Sequence, residues 1–157
     1  MSALLHPYKY FLSEDGFYHF TTESGIDYFA YFIDMSSYGT SGIYTFSFEK
    51  TSDEHVKSRP GMYVLDTVCA ILRDFFEKQQ NAVLFVCDST DGRAEGRRRL
   101  FARKFQDVND GSYEKLDRFG KTAFYSLYSS LIFRKDNPLK EELIESFERI
   151  CEDSLIQ

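Results

Sequence analysis

The sequence predicts an α+β fold: an N-terminal antiparallel β-meander of about four strands, followed by the order α-β-α-β-α, with a mixed sheet and helices packed mainly on one face. Two observations predict it. In the first 50 residues Tyr, Phe, Ile and Thr alternate with polar residues between short turn-forming segments, which is the period of half-buried strands. Beyond residue 61, apolar residues recur at the helical period in segments that alternate with short apolar runs.

The meander is predicted from four segments that are rich in aromatic and β-branched residues. Turn-forming residues such as Ser13 to Gly16 and Glu23 to Gly25 separate them, and a loop of small residues is expected at 36–42. The predicted strands cover residues 8–12, 17–22, 26–33 and 43–49.

A polar loop at 51–61 precedes the first predicted helix. The helix has an apolar stripe, and its charged residues, Asp66 among them, are expected on the opposite, solvent-facing side. The stripe consists of Val64, Leu65, Val68, Ile71, Leu72, Phe75 and Phe76.

The second half alternates strands and helices. Residues 82–87 are continuously apolar and predict a strand with both faces covered; an Arg-rich helix follows, then a loop near 107–121 and a strand at 124–133. Asn137 and Pro138 are expected to cap the last helix. Its predicted core stripe is Leu139, Leu143, Phe147, Ile150 and Cys151.

Length and composition favour one domain over residues 1–157. The three cysteines are far apart and have no close His, which argues against disulfides and zinc; no signal peptide or membrane span is apparent. We therefore expect a cytoplasmic protein without cofactor or metal. Residues 93–104 carry a charge of +5, so the remainder carries −11, which disfavours indiscriminate binding of polyanions.

The most informative stretch is residues 83–105, where an apolar run ends at Cys87, a polar loop follows and the Arg-rich helix begins. Charge of both signs is concentrated where a strand is followed by a helix, so this segment is the candidate functional surface. The candidate binding residues are Asp88, Asp91, Arg93, Arg97, Arg98, Arg99, Arg103 and Lys104.

One interpretation of the segment is enzymatic. Cys87 and Arg93 have the C-x5-R spacing of cysteine-dependent phosphatases, and VLFVC resembles the nucleophile strand of the low-molecular-weight tyrosine phosphatases. Cys87 would attack as a thiolate, and Arg93 would bind two phosphate oxygens. Asp88 and Asp91 would place negative charge beside both groups, so this is the minority hypothesis. Its candidate general acids are Asp110, Asp117 and Asp136.

A second interpretation is binding through the Arg-rich helix, with either a protein or a nucleic acid as partner. Helical phase predicts Leu100, Phe101, Phe105 and Val108 on the inner face and Arg98, Arg99 and Arg103 outside it. The remaining basic residues, Arg93, Arg97 and Lys104, lie near the inner face, where ion pairing to carboxylates elsewhere in the chain or snorkelling along apolar surface is expected.

A third interpretation is structural. Asp88 or Asp91 would cap the helix or pair with a nearby arginine, and no ligand would be needed. Aromatic residues on the strands are likewise expected to be core residues or cross-strand pairs more often than a stacking platform.

Four motifs along the chain carry a family resemblance: PYKYFL, FTTESGIDYFAYFID, CDSTDGRAEGRRRLFARKF and LIFRKDNPLKEELIESFE. The chain resembles an uncharacterised family of small bacterial proteins, classed as a domain of unknown function and found mainly in Bacteroidetes. The resemblance implies a single intracellular domain and no established activity. We expect a binding or regulatory module that acts through a protein partner at residues 87–104, with nucleic-acid binding and phosphatase chemistry as the alternatives.

Overall fold

A computed structural model describes residues 4–36, 42–51, 61–88 and 94–154 and confirms the α+β class. The predicted elements are all present within a few residues of their expected bounds. In chain order they are β1 (Tyr10–Leu12), β2 (Tyr18–Thr21), β3 (Asp27–Asp34), β4 (Ile43–Lys50), α1 (Met62–Phe75), β5 (Ala82–Asp88), α2 (Ala94–Val108), β6 (Tyr113–Lys121), β7 (Ser126–Arg134) and α3 (Lys140–Ser154).

The seven strands form one mixed sheet in the order β1-β2-β3-β4-β5-β7-β6. Strands β1 to β4 are the predicted antiparallel meander. Strand β5 pairs in parallel with β4 and antiparallel with β7, and β7 in turn pairs antiparallel with β6. The segment that contains α1 connects the two parallel strands, as a parallel pair requires a crossover.

Two hydrophobic cores lie on opposite faces of this sheet, and β5 contributes to both. Val83 is fully buried in the core formed with α1, and Phe85 packs against the same core, as do the aromatic rings of α2. Leu84 points the other way, into the core under α3. Two of the three helices therefore share one face, and α3 covers the other face over β5, β7 and β6.

Strand β6 (Tyr113–Lys121) corrects the prediction of a loop near 107–121. It pairs with β7 over its whole length and ends the sheet. Its side chains are mostly half-buried or exposed and include charged residues and Gly120, because a strand at the end of a sheet has hydrogen-bonded neighbours on one side only. A segment with so few apolar residues is read as a loop when strands are predicted from hydrophobicity.

Gly42 fixes the start of the parallel pair. Its φ of +88° is a left-handed conformation that side chains rarely adopt, and a Cβ there would lie 3.2 Å from the carbonyl oxygen of Gln80. The same residue accepts a hydrogen bond of 2.9 Å from the backbone N–H of Ala82. Close approach of the two chain segments thus depends on glycine at this position.

The core under α3 should dominate the stability of the second half of the chain. Phe147 is fully buried, and we expect Phe147→Ala to lower the free energy of unfolding by about 3–5 kcal/mol through lost burial and a residual cavity. Phe124, 91% exposed in the turn between β6 and β7, is the matched control, and Phe124→Ala should change stability by less than about 0.5 kcal/mol. Urea denaturation of both variants measures the difference, and equal losses would contradict the assignment.

Candidate functional site

The candidate site lies where β5 ends and α2 begins. The backbone of β5 reaches Asp88, and α2 starts at Ala94, as the sequence predicted for a strand, a short loop and a helix. Asp91 and Arg93 lie outside the described residues, as do the side chains of Cys87, Asp88 and Arg97. The described part of the site therefore consists of the remaining side chains of α2 and of the strands beside it.

The inner face of α2 is formed by aromatic side chains. The ring centroid of Phe101 lies 4.3 Å from that of Phe85 on β5, and Phe105 packs against the same core. Leu100, predicted on this face, is instead 44% exposed. Helical geometry explains the difference, since Leu100 lies about 100° from Phe101 around the helix axis and on its flank.

Lys104 forms an ion pair with Asp66 of α1, which joins the two helices that share a face. The side chain of Asp66 is only 3% exposed and that of Lys104 is 18% exposed. Ion pairing of Lys104 with a carboxylate outside residues 93–104 was predicted. Asp66 itself was expected to face solvent, and that prediction is wrong. A carboxylate of this kind can be buried because a cation 38 positions away in the sequence reaches it.

Asp66 also holds the N-terminal segment. Its carboxylate accepts a hydrogen bond of 2.9 Å from the backbone N–H of His6, and the neighbouring Thr67 hydroxyl accepts one of 2.8 Å from the backbone N–H of Tyr8. Burial alone would raise the pKa of Asp66, but hydrogen bonds from Lys104 and His6 and the positive charge of Lys104 outweigh it and hold the pKa below its usual range. The carboxylate is thus ionised and fully engaged.

Arg98 lies on the opposite flank of α2, over β7. Its guanidinium carbon lies 5.0 Å from the ring centroid of Tyr128, and the Tyr128 ring contacts Phe119 of β6 at a centroid distance of 4.8 Å. Phe119 is 58% exposed. Arg98 was predicted outside the inner face and is half-buried on this ring, so it combines a cation–π contact with partial exposure.

Asp117 on β6 is a second carboxylate beside this flank. It accepts a hydrogen bond of 2.6 Å from the Ser130 hydroxyl and pairs with Lys115. Partial burial would raise its pKa, but these hydrogen bonds and the charges of Lys115 and Arg98 lower it. Asp117 is therefore an ionised acceptor, which does not suit the role of general acid.

The outer face of α2 carries the predicted exposed arginines. Arg99 and Arg103 are both exposed, and helical phase places them opposite Phe101. Leu100 lies between this outer face and Lys104. We call the exposed part of the helix the α2 surface, and it comprises Arg98, Arg99, Leu100 and Arg103.

The predicted general acids are not gathered at the loop. Because β7 runs antiparallel to β5, its start at Ser126 lies near the end of β5, whereas Asp136 follows its far end. Asp110, just before β6, lies at that far end too. Of the three candidates only Asp117, which pairs in register with Ser130 near the middle of the strands, is closer to the loop.

A small apolar cavity lies beneath α2, between α1 and the sheet. Its volume is about 60 Å³, well below the roughly 150 Å³ that accommodates a benzene-sized ligand. The cavity is lined in part by Cys69, Phe76, Phe105 and Tyr113. Burial raises the pKa of the Cys69 thiol to about 11, so this cysteine is mainly protonated at neutral pH.

Within the ranges that the structure describes, no group of three or more His, Cys, Asp or Glu side chains is arranged to hold a metal ion. None of the described helices is long and apolar enough to cross a membrane.

The ion pair between α1 and α2 should be coupled to acid stability. We expect Lys104→Met to lower the free energy of unfolding at pH 7 by about 3 kcal/mol, because the buried carboxylate of Asp66 loses its cation. The folded-state pKa of Asp66 lies below that of the unfolded chain. The ionised carboxylate therefore contributes stability that is complete above the unfolded-state pKa and is lost as the pH falls through the folded-state pKa.

Denaturant unfolding between pH 7 and pH 2 measures both effects. The variant should lose less stability on acidification than the natural chain does, while Lys78→Met, at an exposed position of the turn after α1, should behave like the natural chain. A Lys104→Met curve parallel to that of the natural chain would show that the pair does not set the pKa of Asp66.

Cys69 should be slow to alkylate. With a pKa of about 11, roughly one thiol in 10⁴ is ionised at pH 7, and iodoacetamide labelling should accelerate as the pH rises toward 11. Peptide-level mass spectrometry over time, with the urea-unfolded chain as the reference, measures this. Labelling of folded Cys69 at the unfolded rate would contradict its burial.

Comparison with known proteins gives one match. Residues 61–149, more than half of the 157, match the model of a family of unknown function, DUF6169. The matched range contains α1, β5, α2, β6, β7 and most of α3, and it includes the motifs at 83–105 and 131–148. No curated protein and no solved structure matches the chain.

Proposed function

The chain belongs to the DUF6169 family of unknown function, and from that premise we propose that it is a small binding or regulatory module that acts through a protein partner at residues 87–104. One observation carries the proposal: the α2 surface places the exposed arginines Arg99 and Arg103 beside an exposed leucine, Leu100. Positive charge next to an exposed apolar side chain suits a partner that presents carboxylates and apolar side chains together.

The distribution of the remaining cations favours a protein over a nucleic acid. Of the four basic side chains described on α2, Lys104 is paired with Asp66, and Arg98 lies near the carboxylate of Asp117. Both therefore contribute less positive potential toward a phosphate backbone than an isolated cation would. Nucleic-acid binding usually needs several phosphate contacts along a continuous basic track.

A specific observation keeps nucleic-acid binding as the second candidate. Arg98, Tyr128 and the 58%-exposed Phe119 form a cation–aromatic group beside α2. Single-strand binders combine a basic groove with exposed rings on which bases stack. Such a role would depend on Phe119 as much as on the arginines, whereas the protein-partner proposal depends on Leu100, so the two are separable.

Phosphatase chemistry at Cys87 and Arg93 is the minority alternative, and the structure brings no described general acid to that loop. Asp110 and Asp136 lie at the far end of the strands, and Asp117 is held ionised. Selective alkylation of Cys87 at neutral pH, with protection by phosphate or vanadate, would support this alternative.

Cys69 and Cys151 are free thiols, which agrees with a cytoplasmic protein as part of the proposal.

The test of the partner surface is fluorescence anisotropy with two labelled probes. One is an acidic peptide of alternating Glu and Leu residues, and the other is a single-stranded oligonucleotide. We expect the natural chain to bind the peptide, and the double variant Arg99→Glu, Arg103→Glu to bind it about tenfold more weakly, because each attraction becomes a repulsion. Leu100→Ser should also weaken binding of the peptide and should leave binding of the oligonucleotide unchanged.

Charge-matched controls lie elsewhere on the chain. Lys78→Glu and Lys135→Glu change exposed lysines outside α2 by the same total charge and should leave peptide binding within about twofold of the natural chain. The second candidate would replace the proposal if the natural chain bound the oligonucleotide and not the peptide, and if Phe119→Ala weakened that binding. Equal loss in the control and the α2 variants would refute the site.

A further inference from the structure

The face of strands β1 to β3 turned away from α1 carries a continuous group of rings. Side chains alternate along each strand, so residues at odd positions share this face. We call the group the aromatic face, and it consists of Phe11, Phe17, His19, Phe29, Tyr31 and Ile33.

The rings contact one another both between strands and along one strand. Phe11 stacks on His19 at a centroid distance of 5.1 Å, and Phe29 stacks on Tyr31 at 6.0 Å. Phe17 links the two pairs: its ring centroid lies 6.5 Å from that of His19, and its ring packs edge-to-face against Phe29 at 5.9 Å and against Tyr31 at 5.4 Å. These contacts join the five rings into one group.

Neither hydrophobic core includes these side chains. The core under α1 and α2 lies on the opposite face of the sheet, and the core under α3 is built on Ile43 of β4 and on β5 and β7. In the described ranges no helix packs over the aromatic face. Phe11 is 62% exposed and Ile33 51%, and the other four residues are half-buried. Apolar surface that is contiguous and exposed to this extent typically marks an interaction site.

Carboxylates surround the rings. Asp27 and Glu49 are exposed and share the face, one two residues before Phe29 and the other paired with Phe29 across the strands. Asp15 lies close enough to His19 for the two to interact electrostatically. Residues 1–51 contain six carboxylates and two lysines, a net charge of −4, so the surroundings are acidic as well.

We propose that the aromatic face docks a cationic segment of a protein, an extended peptide whose arginine side chains lie over the rings and pair with the carboxylates. Charge complementarity carries the choice of occupant. Guanidinium groups stack on ring faces and donate two parallel hydrogen bonds to a carboxylate, whereas lysine offers only a compact, strongly hydrated charge. The surface is separate from the α2 surface, which has the opposite charge, and the two proposals stand or fall independently.

The same chemistry disfavours the other ligands of aromatic surfaces. The phosphates of a single-stranded nucleic acid would be repelled by Asp27 and Glu49. A carbohydrate needs many hydrogen-bonding groups, and the rings here are mostly Phe, which has none.

The test uses fluorescein-labelled twelve-residue peptides of alternating Arg and Gly, with Lys–Gly and Glu–Gly versions for comparison. We expect the order Arg over Lys, with no binding of the Glu peptide. In a titration of the isotope-labelled full chain with the Arg peptide, the backbone amide NMR signals of β1 to β3 should shift, and those of α2 and α3 should not.

Two kinds of variant separate rings from charge. The double variant Phe29→Leu, Tyr31→Leu retains apolar volume and removes the ring faces. It should weaken binding of the Arg peptide about tenfold and binding of the Lys peptide by less. Asp27→Asn with Glu49→Gln should weaken both cationic peptides several-fold and flatten their salt dependence. Glu141→Gln with Glu145→Gln on α3 removes two exposed carboxylates from another surface and should leave affinity unchanged.

Other results would overturn the proposal. Equal affinity for Arg and Glu peptides, or amide shifts confined to other elements, would exclude a cationic occupant at this face. Shifts of the β1 to β3 amides caused by a single-stranded oligonucleotide or by cellohexaose, with none from the Arg peptide, would assign the face to that ligand. Concentration-dependent shifts of the same amides in the chain alone, with dimers in sedimentation, would make a second copy the occupant. The NMR readout on the natural chain does not depend on any variant folding.

Discussion

The rest of the structure depends on β5 being buried on both faces. Val83 and Leu84 point into different cores, so one short strand anchors α1 and α2 on one face and α3 on the other. Ala82, Val83 and Leu84 are fully buried, so this part of the strand is apolar, and charge returns only at its end, with Asp88. The Arg-rich helix that follows packs Phe101 and Phe105 against the core and carries exposed arginines on its outer face.

Charge is segregated along the fold in the same way. Acidic side chains predominate in the meander, whereas cations are concentrated on α2. In the sheet, β1 lies at one end of the strand order, and α2 lies toward the other end. Asp66 and Lys104 join α1 and α2 electrostatically, because the buried carboxylate of α1 pairs with this cation of α2. Arg99 and Arg103 are exposed on the face of α2 that lies away from the core, which is why this face is the better candidate for recognition.

Much of the fold was predictable because it follows from periodicity. The alternation in the meander, the apolar run of β5 and the stripe of Leu143 and Phe147 each reflect burial on a defined face. Strand β6 and the burial of Asp66 were missed for a common physical reason: each depends on a partner distant in sequence, β7 in one case and Lys104 in the other. At the candidate site, the exposure of Arg99 and Arg103 and the pairing of Lys104 followed from helical phase. The exposure of Leu100 follows from the same phase, since it lies about 100° from Phe101 around the helix axis. The half-burial of Arg98 does not, because the ring of Tyr128 on the neighbouring strand covers that flank of the helix.

The position of β6 at the end of the sheet has a further consequence for solubility. A strand of nine residues with a hydrogen-bonded neighbour on one side only in the described sheet offers its other edge to any extended chain, and this is a common route to aggregation. Here its side chains alternate between Lys115, Asp117 and Lys121 on one face and Glu114 and Arg118 on the other, with Gly120 near its end. A second copy of β6 paired in parallel and in register would place each of these charges beside a like charge, and glycine adds no packing surface. The residues that make β6 resemble a loop in the sequence therefore disfavour that extension of the sheet.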